Sequence, residues 1–246
     1  MSAIERLAQQ FRALHCQHIA AGLPDLLTQA EANELSYLQL AEQRVDLERQ
    51  GRARNRLTLN VRKADFPAIK RLEEFDFRHQ TTITTRQVSP LLDFRVLDER
   101  AHRVFIGPPG VGKTPLAIAM ALKAVDAGYQ ALFTTALALV EALEIAELKG
   151  ELKKKIASLL KFDLLVIDEL GYLPMNRQGP YNLFQLINGL YEFRSVILTT
   201  NKDFTNWGEF LREDNVAVPI VDRLIHHSQV FMLGGESDRL KQKLAN

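Results

Sequence analysis

Three glycines, a lysine and a threonine stand in the run Gly107-Pro108-Pro109-Gly110-Val111-Gly112-Lys113-Thr114, which satisfies G-x-x-x-x-G-K-[ST]. Each residue type answers a chemical need. Glycines let backbone N–H groups converge on phosphate oxygens without interference from Cβ atoms. A helix that begins behind them turns its positive end to the same anion. Lys113 adds a mobile point charge for the β- and γ-phosphates of ATP, and Thr114 a hydroxyl for Mg²⁺. With glycine near 7% of residues in proteins at large, the four fixed positions match by accident in roughly one chain in a hundred of this length. The setting lowers that further, because a strand pattern precedes the motif and a helix pattern follows it. Pro115 strains the motif, since a residue before proline is pushed away from helical geometry. Proline in a first helical turn is tolerated. The expectation is therefore intact nucleotide binding, with Thr114 somewhat displaced and metal coordination or turnover slightly weakened.

A second set of groups lies downstream. Leu164-Leu165-Val166-Ile167-Asp168-Glu169 is an apolar strand ending in two carboxylates. A strand buried on both faces reads as such a run, and ligands sit beyond its carboxyl end. Asp168 would hold Mg²⁺ through its water shell, and Glu169 would polarise the attacking water. Alone, this is a strand ending in solvated acids; beside the phosphate loop it completes a hydrolytic site. Asn201 closes another strand pattern, where a neutral amide can reach the γ-phosphate or the water without adding negative charge. By itself an asparagine there is usually a turn residue. Two further arginines, Arg223 and Arg239, precede and follow the last strand pattern. Phosphoryl transfer gains from a cation on the developing charge, sometimes supplied by a neighbouring subunit. Pattern alone favours surface salt bridges for both.

These groups need a scaffold that gathers strand ends. From about residue 103 short apolar runs alternate with helical stretches, which implies an α/β fold with a parallel sheet covered on both faces. Five strands are expected at Val104–Ile106, Ala131–Thr135, Leu164–Ile167, Val196–Thr200 and Val230–Leu233. Between them fall helices at Thr114–Ala127, Leu137–Leu160 in one or two pieces, Tyr181–Phe193 and Val218–His227. Ser237 reads as the cap of a further helix. The first part of the chain differs. Ile4, Leu7, Ala8, Phe11 and Leu14 recur at helical spacing, and Gly22-Leu23-Pro24 reads as a break. Ser36 and Gln39 form a capping box for a second helix, with Leu35 and Leu40 as its staple. That helix ends near Gly51 or continues to Lys63 before the Phe66-Pro67 break. The expected division is a helical domain over 1–70, a connector over 71–102 and the nucleotide domain over 103–246.

Bulk numbers exclude little but agree. The 246 residues are 46% hydrophobic and 25% charged, as in an ordinary globular protein. Glu5 and Arg6 interrupt any signal-peptide pattern, and no apolar run is long enough for a membrane span. The single cysteine, Cys16, excludes an internal disulfide and fits a reducing cytosol. Charge is uneven: residues 44–71 hold nine Lys or Arg against three acids, and residues 1–43 hold two against five. Arg52, Arg54, Arg56, Arg62 and Lys63 form one basic cluster, and Lys153, Lys154 and Lys155 a second. Either could neutralise DNA phosphates or simply be a solvated helix face. No base-reading motif is present, so any DNA binding would be largely sequence-independent. His226 and His227 lack a second ligand cluster and read as packing or capping residues.

With these residues in view, the chain resembles the IstB family of AAA+ ATPases, helpers of insertion-sequence transposition, and is more distantly similar to the DnaC and DnaI helicase loaders. The resemblance spans nearly the whole chain and rests on GPPGVGKT, LLVIDELGYLP, ILTTN, VDRLIHHS and GESDRLK, with Asp168–Tyr172 and Asp222–His227 its most specific parts. It implies an AAA+ P-loop core with a small N-terminal helical domain, ATP and Mg²⁺ as cofactors, and a bacterial, cytoplasmic protein. It also implies ATP-driven homo-oligomerisation on duplex DNA, bending of that DNA, and engagement of a partner transposase, IstA. The residue matching the family's arginine finger is Arg223, acting in trans, and Arg239 would sense nucleotide in cis. The chain departs from the family at Pro115, where histidine is common, and at Asp238, where tyrosine is common. A helicase loader, or a nucleotide-gated scaffold that barely hydrolyses ATP, are the competing readings; Glu169 speaks against the second.

Overall fold

In the computed structural model the described residues are 1–75, 97, 99–171, 178–211, 214–226 and 228–234. The chain divides into two compact units, Met1–Leu59 and Asn60–Asn246. The first unit is helical. Helix α1 (Ala3–Ala13) starts at a capping box in which Ser2 and Glu5 bond each other's backbone N–H groups. Helix α2 (Gln17–Ala32) runs straight through Gly22-Leu23-Pro24, against the expected break. An internal proline costs about 3 kcal/mol. Burial of Ile19, Ala20, Leu23 and Leu26 outweighs it, at about 1.5–3 kcal/mol for each large side chain.

Helix α3 (Tyr37–Lys63) is continuous, the longer of the two expected alternatives. Ser36 and Gln39 make the capping box anticipated from the sequence, with bonds of 2.8 and 3.3 Å. The helix does not stop at Gly51 because that glycine has a packing role: a Cβ there would lie 2.0 Å from the His18 ring. Nearby, the Glu48 carboxylate accepts the His18 and Ile19 N–H groups at 2.9 and 3.1 Å, satisfying donors at the start of α2. Arg52 in turn donates to Glu48 at 2.8 Å and to the His15 carbonyl at 3.0 Å. Burial works against the charged carboxyl, but the bonds from Arg52, Ile19 and His18 hold Glu48 below its ordinary titration range.

The second unit takes in the last turn of α3, ahead of the domain end expected near residue 70. The Ala64 carbonyl accepts the Phe133 N–H at 2.8 Å, and Ala64 is fully buried in the same apolar cluster as Phe105, Leu116 and Val166. A short 3₁₀ turn at Leu72–Glu74 joins that face, with Lys123 pairing to Glu73 at 2.7 Å. Five strands follow: β1 (His102–Ile106), β2 (Ala131–Thr135), β3 (Leu164–Leu170), β4 (Ser195–Thr200) and β5 (Ser228–Met232). All pair in parallel, in the order β2-β3-β4-β1-β5, as the strand–helix alternation required. Helix α4 (Lys113–Asp126) contributes to the apolar cluster on one face.

The other face carries α5 (Ala136–Leu148), α6 (Leu152–Leu159), α7 (Gly179–Leu190), α8 (Trp207–Leu211) and α9 (Asp214–His226). The segment expected as one or two helices is thus two, separated at Gly150, whose φ of 69° stops α5. β1 and β3 are longer than the apolar runs suggested. His102 and Arg103 are buried, and β3 carries on through both acids.

Candidate functional site

Because β4 lies between β1 and β3, three carboxyl ends emerge side by side. From them come the glycine-rich loop, Asn201, and the Asp168-Glu169 pair. The loop leaves β1 at Gly107 and enters α4 at Lys113. Gly110 and Gly112 have φ of 85° and 89°, left-handed values that cost a side-chain-bearing residue about 1–2 kcal/mol. Gly107 is required for another reason. A Cβ on it would sit 2.1 Å from the Leu233 carbonyl oxygen, where the chain leaves β5. Val111 plugs the base of the loop and is buried, while Pro108 and Pro109 are exposed. The Lys113 ammonium folds over the loop and donates to the Gly107 and Pro108 carbonyls, both at 2.7 Å. Its charge therefore sits where a β- or γ-phosphate held by the loop would meet it.

Thr114 stands in the first turn of α4, and its hydroxyl lies 2.9 and 3.0 Å from the two Asp168 oxygens. Pro115 has not displaced it out of reach. The helix begins at Lys113, so the proline falls in the first turn, where a missing N–H deprives no intrahelical bond. Asp168 is 4% exposed and turned toward Thr114. A hydroxyl facing a buried carboxylate is the all-oxygen, low-charge setting that Mg²⁺ takes while keeping most of its waters. The residues present fit that ion. Among the described residues no group of three or more His, Cys, Asp or Glu forms a denser metal site.

Glu169 differs from its neighbour. Pairing of β3 with β4 slips between Ile167 and Leu170, and Glu169 has a φ of 60°. The irregularity buries Asp168 and Leu170 and leaves Glu169 exposed at the strand end. Its N–H donates to the Thr199 hydroxyl at 2.9 Å, and Thr199 donates to Asp168 Oδ1 at 2.5 Å. Sequence reading passed over Thr199. The available signal was a hydroxyl directly after the apolar run Val196-Ile197-Leu198 and two residues before Asn201.

Arg223 is not part of this cluster. It donates to Asn188 Oδ1 at 3.0 Å and to the Pro219 carbonyl at 3.1 Å, and its guanidinium lies 5.0 Å from the Phe184 ring centroid. It is thus held by α7 and α9 packing, and no acid pairs with it among the described residues, unlike the salt bridge favoured by pattern. It sits near the start of β5, which pairs with His102 at the opposite end of β1 from the loop. His226 is exposed; its ring is tilted 60° to that of Tyr191, and its Nδ1 lies 3.1 Å from the Tyr191 hydroxyl. Arg239, with Ser237, Asp238 and His227, lies outside the described residues.

The basic clusters are rearranged by helix geometry. At about 100° per residue, Arg54 and Arg56 project from nearly opposite sides of α3. Arg52 is engaged with Glu48 and His15 within the first unit. Arg62 and Lys63 are exposed in the last turn of α3 and belong to the second unit. On α6, Lys153 and Lys154 are exposed, Lys155 is half-buried, and Lys154 pairs with Glu151 at 3.3 Å.

Comparison with known proteins bears on this arrangement. The sequence model described as IstB-like ATP binding protein matches residues 9–246. The chain is 39% identical over 230 residues to a protein of insertion sequence IS21 from Pseudomonas aeruginosa, described as ATP-binding, covering 94% of this chain and 87% of that one. It is 34% identical over 239 residues to the corresponding protein of IS5376 from Geobacillus stearothermophilus, covering 97% and 95%. Among solved structures, the DnaC helicase loader superposes with a TM-score of 0.53 at 23% identity, over 67% of this chain and 96% of that one. That likeness concerns the fold, which is the AAA+ P-loop type. With that family model matching residues 9–246 and relatives 39% and 34% identical over more than nine tenths of its length, this chain belongs to the IstB-like ATP-binding protein family.

Proposed function

We propose that this chain is an ATP-dependent helper of transposition: it self-assembles on duplex DNA when it holds ATP, bends that DNA, and brings its partner transposase, IstA, to the target. Hydrolysis then limits the life of the assembly. The observation that carries the catalytic part is the meeting of Thr114, Asp168 and Glu169 beside the loop that holds Lys113. The insertion-sequence context of the relatives supports the transposition part.

In this reading Gly107 to Thr114 cradle the triphosphate and Lys113 neutralises its outer phosphates. Thr114 and Asp168 would hold Mg²⁺, which would supply charge neutralisation at the phosphates. Glu169, exposed at the strand end, orients the attacking water and accepts its proton. Asn201 hydrogen-bonds the γ-phosphate or that water. Arg223 reaches a neighbouring copy's ATP, and Arg239 senses nucleotide in its own subunit. The helical domain over 1–70 is assigned DNA and partner binding, 71–102 a connecting role and 103–246 the ATPase. Arg52, Arg54, Arg56, Arg62 and Lys63, with Lys153 to Lys155, are the candidate phosphate contacts.

The test is sedimentation of the purified protein on a short duplex with ATP, with ADP and without nucleotide. A large complex only with ATP and duplex supports the helper. Little assembly on duplex, but ATP-dependent binding to single strands, would replace it with a helicase loader.

A further inference from the structure

We propose that Thr199 is a positioning residue for both acids of the site, so that one hydroxyl on β4 sets the metal side and the water side together. The inference rests on the reading of Asp168 and Glu169 given above and adds a third residue to it.

The hydroxyl has one proton to give, and it goes to Asp168 Oδ1 at 2.5 Å. An oxygen lone pair accepts the Glu169 N–H at 2.9 Å. Thr199 is 0% exposed, so water does not compete for either bond. Asp168 is thereby gripped from two directions: Thr199 holds one oxygen from β4, while Thr114 spans both oxygens from α4. Rotation of the carboxylate away from Thr114 would break a charge-assisted bond in a dry setting.

Glu169 depends on the same atom through its backbone. The slip between Ile167 and Leu170 interrupts the ladder at this residue, and Thr199 offers the N–H an acceptor in its place. A glutamate at φ 60° is strained, and such a residue persists where its surroundings over-determine it. The bond to Thr199 is one of those determinants. Thr200, equally buried, does not share the task, because its hydroxyl accepts the Lys202 N–H at 3.0 Å.

The test compares full-length Thr199→Val, which keeps the shape and removes the hydroxyl, with Thr199→Ser, which keeps the hydroxyl. Three quantities are read: turnover against Mg²⁺ concentration, affinity for a fluorescent ATP analogue in EDTA, and Mn²⁺ affinity of the nucleotide complex by electron paramagnetic resonance. Partners behind metal ligands carry about 10–100-fold in affinity or activity. Thr199→Val is expected to weaken Mn²⁺ binding and raise the half-saturating Mg²⁺ by that factor, with lower kcat and unchanged metal-free nucleotide affinity. Thr199→Ser restores metal affinity and turnover. Wild-type metal dependence in Thr199→Val overturns the proposal, as does equal impairment of the Val and Ser variants. A parallel loss of metal-free nucleotide binding also overturns it, since that is general damage. If Thr199→Val does not fold, Thr199→Ala carries the same expectations. If the wild type hydrolyses no ATP, the reading of the acids fails, and the Mn²⁺ comparison still decides whether Thr199 positions Asp168.

Discussion

If Arg223 serves a neighbour's ATP, two individually inactive variants should rescue each other when mixed. In this chain Arg223 is held away from its own phosphate loop. β1 spans five residues, or about 13 Å between its end positions at 3.3 Å per residue, with the loop at one end and the start of β5 paired at the other. Arg223 lies one helical turn before the end of α9 and is tied to Asn188 and Phe184 beside it, so its side chain cannot cross that distance. Removing a catalytic arginine of this kind costs about 10³–10⁵ in kcat. Arg223→Ala and Glu169→Gln should therefore each be nearly inactive while still binding ATP. In a random equal mixture, one junction in four joins an intact Glu169 to an intact Arg223, so ATP turnover should recover to about a quarter of wild type. The assay is phosphate release at a protein concentration that permits assembly on duplex DNA, with each variant alone as control. A mixture no more active than its components, under conditions where sedimentation shows co-assembly, would refute the trans assignment.

Gly107→Ala should destabilise the second unit even without nucleotide. Its Cβ meets the Leu233 carbonyl oxygen at 2.1 Å and endangers the 2.7 Å bond from the Leu233 N–H to Ile106. Overpacking plus a lost hydrogen bond costs about 2–4 kcal/mol, a Tm lowered by about 4–16 °C in thermal unfolding. Glu48 titrates below its ordinary 4.5 in the fold, so it adds stability above that value and loses it as pH falls through its folded pKa. Helix content followed by circular dichroism should accordingly fall less steeply below about pH 4.5 in Glu48→Gln, from a lower starting stability. Arg54→Glu and Arg56→Glu should weaken duplex binding unequally, because the two project from opposite sides of α3. The more affected variant should flatten the log–log salt dependence by about 0.9 per lost phosphate contact, and unchanged affinity in both at moderate salt moves the DNA site elsewhere.

Local chemistry made much of this legible from residues alone. Ser36 and Gln39 announce a helix start because their bonds need only four consecutive residues. The phosphate loop is equally local: positive φ at Gly110 and Gly112, then a helix, are demands on adjacent positions. Continuous apolar runs such as Leu164–Ile167 declared a parallel sheet because such strands are buried on both faces. Pro24 was misread as a break for the converse reason, since the burial that carries α2 through it comes from distant residues.

What residue order alone determined, then, is the phosphate loop, the acid-bearing strand, the alternation of elements and the family. Tertiary structure decided which strand ends are neighbours, and with that the role of Thr199. It also set Gly107 against Leu233, tied Arg52 to the His15 carbonyl and put Arg223 at the far end of the sheet from the loop. Motifs are short because their geometry is fixed by bonded neighbours. Those other relations join residues tens of positions apart, and only the packing of the sheet and its helices brings them within hydrogen-bonding distance.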